Sequence, residues 1–245
     1  MVEERSGGTI FTPARRAGHY GAAMSRRSLA VLSVYAAVAV THVGAQLAEA
    51  ETLATTTQVL LMPLLALALV QLAGTGPRLV RLTLVALGFS WLGDSVPRLL
   101  EEDPAFLAMV GFFLVAQVVY IVAFRPYAGR SVLTGPRSVL AAYLLPAAAL
   151  MALTLPEAGV LAPAVLVYGA CLLAMALLAS GVHPLAWAGG ALFAVSDGLI
   201  AIGGFGPWDV PEAAGGAAVM TTYTLAQLFI VLGVVARTRA DDAAR

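Results

Sequence analysis

Charge is scarce in this chain, and lysine is missing from it altogether. Of its 245 residues, 11% are charged and 60% are hydrophobic, and all fourteen basic residues are arginine. So little charge excludes a soluble domain of ordinary composition. A net charge of zero excludes the basic footprint of a nucleic-acid-binding protein. The single cysteine, Cys171, rules out an intrachain disulfide and a thiolate metal cluster; its apolar setting fits helix packing. Three histidines occur, His19, His42 and His183, with neither HxxxH nor HExxH spacing, so no metal centre is expected. Two aspartates alone would hold Mg²⁺ only with the help of waters and substrate oxygens. The chain lacks a glycine-rich phosphate loop and a G-x-S-x-G elbow, and Ser196 has no histidine base in register. No cofactor and no serine-hydrolase chemistry are therefore expected.

What the chain does have is long apolar runs. A hydrocarbon core of about 30 Å needs roughly 20 apolar residues per helix. Eight stretches qualify, at 28–48, 53–73, 79–100, 105–124, 138–155, 159–180, 184–203 and 214–236. Proline and glycine punctuate the links between them, and no stretch alternates at period two as a barrel strand does. The expected fold is an all-α membrane protein, a single bundle of eight transmembrane helices over 28–236. Residues 1–27 read as a disordered polar tail and 237–245 as a second short tail. Ser25-Arg26-Arg27 has the form of a twin-arginine signal followed by Ala48-Glu49-Ala50 as a cleavage site; a first membrane helix with a basic flank explains the same residues.

The links differ in charge. Arginines occupy the N-terminal tail, the second link (Arg78, Arg81), the fourth (Arg125, Arg130, Arg137) and the C-terminal tail. Acids occupy the others: Glu49 and Glu51, then Glu101 to Asp103, then Glu157, then Asp209 and Glu212. The positive-inside rule puts both termini in the cytoplasm, which an even number of helices allows.

Against this background two acids are anomalous. Twelve of the fourteen lie in tails or links, but Asp94 and Asp197 lie inside apolar segments. A charge in hydrocarbon costs several kcal/mol, so each acid marks a functional site by default. Each follows the cytoplasmic start of its helix by thirteen residues, which places both roughly 20 Å deep. A Phe89/Asp94 helix followed by Ala116-Gln117 is echoed by a Phe193/Asp197 helix followed by Ala226-Gln227. That echo suggests two parallel four-helix repeats; chance similarity among Ala- and Leu-rich helices is the alternative. Polar side chains accompany the acids. Ser90 precedes Asp94 by one turn and Ser196 adjoins Asp197. Gln117 and Tyr120 share a face at i, i+3, and Tyr223 and Gln227 at i, i+4. Gln58 and Gln46 add amides on the first two helices, and Tyr168 a phenol on the sixth. Each serves equally as interhelical hydrogen-bonding glue. Arg98, one turn beyond Asp94, is placed to pair with it, to hold a lipid phosphate, or to snorkel to the outer interface.

In these residues the chain resembles the YhhN/TMEM86 family of eight-helix membrane proteins. The resemblance runs over about 30–236. It rests on Thr57 to Leu65, Leu92-Gly93-Asp94, Phe113 to Tyr120 with Phe124, Tyr168 with Met175, Leu192 to Asp197, and Tyr223 to Gln227. Two positions depart from the family pattern: Lys-Pro is usual where this chain has Gln58-Val59, and His is frequent where it has Gln117. The resemblance implies lysoplasmalogenase activity, hydrolysis of the vinyl-ether bond of a single-chain lipid to a fatty aldehyde and a glycerophospho head group. Paired acids suit that chemistry. One carboxyl protonates the alkene carbon, and the other, ionised, steadies the cation and activates water. Asp94 and Asp197 are then the catalytic pair, in undecided roles. Gln58, Ser90, Arg98, Gln117, Tyr120, Ser196, Tyr223 and Gln227 are the candidates for substrate binding. The substrate would enter from the bilayer, with membrane lipids as surroundings and no nucleic acid as partner. A proton-coupled transporter or lipid-binding protein would use the same buried pair, and a purely structural hydrogen-bonded pair is the third reading.

Overall fold

The computed structural model describes residues 25–245; the expectations for the polar tail before Ser25, and for His19, lie outside these residues. Among the described residues, eight helices are long and apolar enough to cross a membrane. They are α1 (Arg26–Leu47), α2 (Glu51–Ala73), α3 (Arg78–Ser95), α4 (Glu102–Phe124), α5 (Arg137–Thr154), α6 (Ala162–Val182), α7 (Pro184–Phe205) and α8 (Glu212–Ala243). No strand occurs among the described residues.

Local chemistry sets the ends. Ser25 caps α1, its Oγ accepting from the Ser28 N–H at 3.1 Å. Pro77, Pro136 and Pro211 stand immediately before α3, α5 and α8. Pro184 opens α7, where His183 Nδ1 accepts from the Leu185 N–H at 3.1 Å. Gly74 ends α2 with φ +65, the left-handed conformation glycine adopts without strain. Pro63, inside α2, has no N–H to give the carbonyl of Val59 one turn earlier. The indole N–H of Trp91 on α3 donates to that carbonyl at 3.0 Å, satisfying a group that hydrocarbon would leave bare.

Several helix ends differ from the apolar pattern by a few residues, α4 for one starting at Glu102 rather than at 105. The third stretch is expected to run to residue 100, but α3 stops at Ser95 and a 3₁₀ turn, Val96–Leu99, follows, because Pro97 cannot continue the α ladder. The sixth is expected from 159, but Gly159–Leu161 is also 3₁₀ and α6 starts at Ala162. The last is expected to end at 236, yet α8 continues to Ala243. Arg237 pairs with Asp241 one turn on, and Tyr127 donates to Asp241 at 2.9 Å. The guanidinium groups of Arg130 and Arg237 lie 5.5 and 5.4 Å from the Tyr127 ring centre.

α8 is the hub of the bundle, packing against α1, α2, α3, α6 and α7. Two glycines let α7 approach it closely. A Cβ on Gly189 would lie 2.6 Å from the Ala226 carbonyl oxygen, and one on Gly233 2.5 Å from the Ala186 nitrogen. α1 is tied in by Tyr35, which donates to the Thr224 carbonyl at 2.8 Å, and by His42, whose Nδ1 lies 3.0 Å from the Ala54 carbonyl. α3–α4 and α7–α8, which carry the echoed Asp and Ala-Gln, are both closely packed. α1–α2 is packed as tightly, whereas α5 lies at the edge against α6 and α7. α3 and α7 do not pack against each other; α8 stands between them.

Candidate functional site

Asp94 is the penultimate residue of α3, and Asp197 lies in the middle of α7. Although their helices do not touch, both carboxyl groups line one cavity of about 170 Å³. Its other polar lining is Gln58, Tyr168, Ser196 and Tyr223. The remainder is apolar, with Phe106, Met109, Val110 and Phe113 on α4 and Ile200 and Phe205 on α7 prominent.

The two acids are held differently. Asp94 is buried, and both of its oxygens accept: Oδ1 from Gln58 Nε2 at 3.2 Å and Oδ2 from the Tyr223 hydroxyl at 2.8 Å. Gln58 is itself fixed, because its Oε1 accepts from Arg98. Arg98 also donates to Thr55 Oγ1 at 2.8 Å and to the backbone carbonyl of Asp94 at 3.3 Å. Asp197 is half-buried and accepts from one donor, the Tyr168 hydroxyl, through Oδ2. An oxygen pair engaged by two donors is an acceptor-only group, the bonding pattern of an ionised carboxylate. A carboxyl with one engaged oxygen has its other oxygen available to carry a proton.

Aromatic rings form the floor. Phe113, Phe193 and Tyr223 meet edge-to-face with centroids 5.6 to 6.3 Å apart. The Phe113 ring fills the space beside Gly93, where a Cβ would lie 2.8 Å from it. Ser196 lines the cavity and donates to the Val219 carbonyl at 3.1 Å, which links α7 to α8.

Of the ten residues singled out in the sequence, five line the cavity: Asp94, Asp197, Gln58, Ser196 and Tyr223. Arg98 stands behind Gln58 and reaches the carboxylate through that amide. Ser90, Tyr120 and Gln227 are fully buried and face one another away from the cavity. Tyr120 donates to Gln227 Oε1 at 2.8 Å, and Gln227 Nε2 donates to Ser90 Oγ at 3.1 Å. Gln117 is also fully buried, one turn below Phe113; its amide stands beside the Tyr168 hydroxyl but makes no hydrogen bond of normal geometry among the described residues. The residue that sequence reasoning undervalued is Tyr168, whose hydroxyl is the sole donor to Asp197 among the described residues. Its signal is faint: a single phenol in a helix otherwise made of aliphatic, glycine and small side chains.

Residues 53–234 match the YhhN family. No curated protein and no solved structure matches the chain. The family match spans most of the chain and every helix that lines the cavity, so the protein belongs to the YhhN family.

Proposed function

We propose that this multi-pass membrane protein hydrolyses the vinyl-ether bond of a single-chain lipid, with Asp197 as general acid and Asp94 as general base. The observation that carries the reading is the meeting of two carboxyl groups with unequal hydrogen bonding on one apolar-walled cavity. A vinyl ether resists base but reacts once its β-carbon is protonated. Asp197 gives its proton to that carbon, the C=C bond becomes a single bond, and an oxocarbenium ion forms at the carbon bearing oxygen. Asp94, ionised and opposite, steadies the cation and takes a proton from the attacking water. The resulting hemiacetal breaks its bond to the glycerol oxygen, which leaves as an alcohol with a proton returned from Asp94. The hydroxyl proton of the hemiacetal is released and restores Asp197. One water is consumed, and a fatty aldehyde and a glycerophospho head group are formed.

Tyr168 and Tyr223 orient the two carboxyl groups, and Gln58, fixed by Arg98, keeps Asp94 in its acceptor role. The aromatic and aliphatic walls limit the water that reaches the cation and receive the first carbons of the chain. The enzyme acts in the cell membrane, where its substrate is dissolved. The test is incubation of purified protein with lysoplasmalogens, followed by aldehyde detection. Aldehyde formation that disappears in Asp94→Asn and in Asp197→Asn is expected. Full activity in either variant overturns the assignment. Gradient-dependent uptake into vesicles without aldehyde would favour transport instead.

A further inference from the structure

We infer that the cavity opens sideways, between the outer halves of α4 and α6, and takes its lipid from the outer leaflet. This rests on the reading of the cavity as a lipid site. The bundle is sealed unevenly along its length. Every described buried residue of α4 lies between Ala116 and Phe124, and every one of α6 between Leu172 and Val182. The α4 stretch leads into the link that carries Arg125, Arg130 and Arg137, and the α6 stretch packs against that link, Ser180 Oγ accepting from the Val132 N–H at 2.9 Å; the positive-inside rule makes this the cytoplasmic side. In their outer halves neither helix has a buried residue among those described, whereas α3, α7 and α8 bury residues on both sides of the bilayer midplane.

The cavity occupies that unsealed interval. On α4 its lining falls between Phe106 and Phe113, and on α6 between Ala164 and Tyr168. Leu107 and Ala164 both line the cavity and are exposed, Leu107 by 51%. A residue that belongs to a cavity and also faces outward marks its mouth. Both lie in the first turns of their helices at the outer side, so this mouth faces lipid near the outer interface. Direct access from outside water is narrowed by Phe106 and Phe205, whose rings meet edge-to-face at 5.9 Å across the outer end. The aromatic floor of Phe113, Phe193 and Tyr223, with the sealed halves of α4 and α6 beneath it, separates the cavity from the cytoplasmic leaflet.

Depth fits the same leaflet. Asp197 precedes the outer end of α7 by eight residues, which places its backbone roughly 12 Å below that end. In a single-chain ether lipid the reactive bond joins chain to glycerol, directly beneath the head group. A lipid of the outer leaflet brings that bond to the acids with its head group at the interface and its chain in the α4–α6 gap. A lipid of the inner leaflet would have to carry its polar head across the sealed half, against the cost of dehydrating it.

The experiment uses a single-chain ether lysophospholipid bearing a diazirine in its chain, non-hydrolysable because its ether is saturated. It is added to right-side-out and to inside-out membrane vesicles containing the full chain, irradiated, and the labelled residues are mapped by mass spectrometry. Labelling of 104–115 and 162–171 several-fold stronger in right-side-out vesicles is expected. Ala164→Trp and Leu107→Trp should each reduce it several-fold, while Leu145→Trp, on the lipid-facing side of α5, should not. Equal labelling in both orientations, or label unaffected by both mouth substitutions, overturns the inference. Labelling needs no turnover, so this result stands apart from the hydrolase reading: labelled protein that forms no aldehyde from a lysoplasmalogen would refute the hydrolase and keep the mouth.

Discussion

Asp94 and Asp197 line the same cavity, yet their surroundings differ. Asp94 sits at the end of its helix, held by a phenol and by an amide that an arginine fixes in turn. Asp197 sits in mid-helix and has one phenol. One layer below, the two glutamines also differ. Gln227 uses both ends of its amide, on Tyr120 and Ser90, while Gln117, beside Tyr168, makes no hydrogen bond of normal geometry among the described residues. Asp94 thus sits where hydrogen bonds tie α3 to α8, and Asp197 is held by one phenol. In a paired-acid reaction that is a division of labour: a fixed carboxylate that starts ionised, and a lightly held carboxyl that starts protonated and recovers its proton at the end.

The sharpest way to break the comparison is to remove each acid. General acid–base groups contribute about 10²- to 10⁴-fold, so Asp197→Asn and Asp94→Asn should each lower the rate of aldehyde formation by about 10³-fold. If Asp94→Asn retains near-normal turnover, the fixed side is structural only. The next largest difference is expected between the two phenols. Tyr168→Phe leaves Asp197 without a protein donor, while Tyr223→Phe leaves Asp94 with Gln58. Loss of a hydrogen bond to a charged group costs about 1.5 to 3 kcal/mol, or roughly 10- to 150-fold, and Tyr168→Phe should lie at the upper end and Tyr223→Phe at the lower. Steady-state kcat of the two variants decides it; the opposite order would invert the assignment of acid and base.

Arg98→Ala should be milder. It releases Gln58 but leaves Tyr223 on the carboxylate, so kcat should fall only a few-fold, in line with about 1 kcal/mol for one indirect contact. The smallest effects on turnover and the clearest on folding are expected for the two glutamines. Gln227→Leu strands the Tyr120 hydroxyl and Ser90, and a buried group left unpaired costs about 1 to 3 kcal/mol. Gln117→Leu removes an amide that makes no hydrogen bond of normal geometry among the described residues and should be neutral or stabilising. Thermal unfolding midpoints of the purified variants in one detergent should therefore move down for Gln227→Leu and hold or rise for Gln117→Leu.

Much of the bundle was legible because membrane helices advertise themselves: eight apolar runs of spanning length, with arginines and acids alternating between links, leave few alternatives. The acids were legible for the same reason, as charges in the wrong place. Side-chain pairing was not. Whether Gln227 turns toward the cavity or toward Tyr120 depends on how α8 is rotated against α3 and α4, which periodicity within α8 cannot fix. Tyr168 reaches Asp197 through the packing of α6 on α7, and an aliphatic helix with one phenol gives no sign of its partner. Helix ends were misjudged where a single residue overrode hydropathy: Pro97 ends α3 early, and the Arg237–Asp241 pair carries α8 beyond its apolar run. Trp91, by contrast, answers a vacancy that Pro63 announces in the sequence, but only the fold shows that α3 supplies the donor.

The central claim is that the Asp197 carboxyl delivers a proton to the β-carbon of a vinyl ether. Purified protein allowed to hydrolyse a lysoplasmalogen in D₂O tests it most directly, with mass spectrometry of the aldehyde. The expected product carries one deuterium on the carbon next to the aldehyde group, and Asp197→Asn forms almost none of it. Aldehyde without that deuterium, or the same product at an undiminished rate from Asp197→Asn, would contradict the claim.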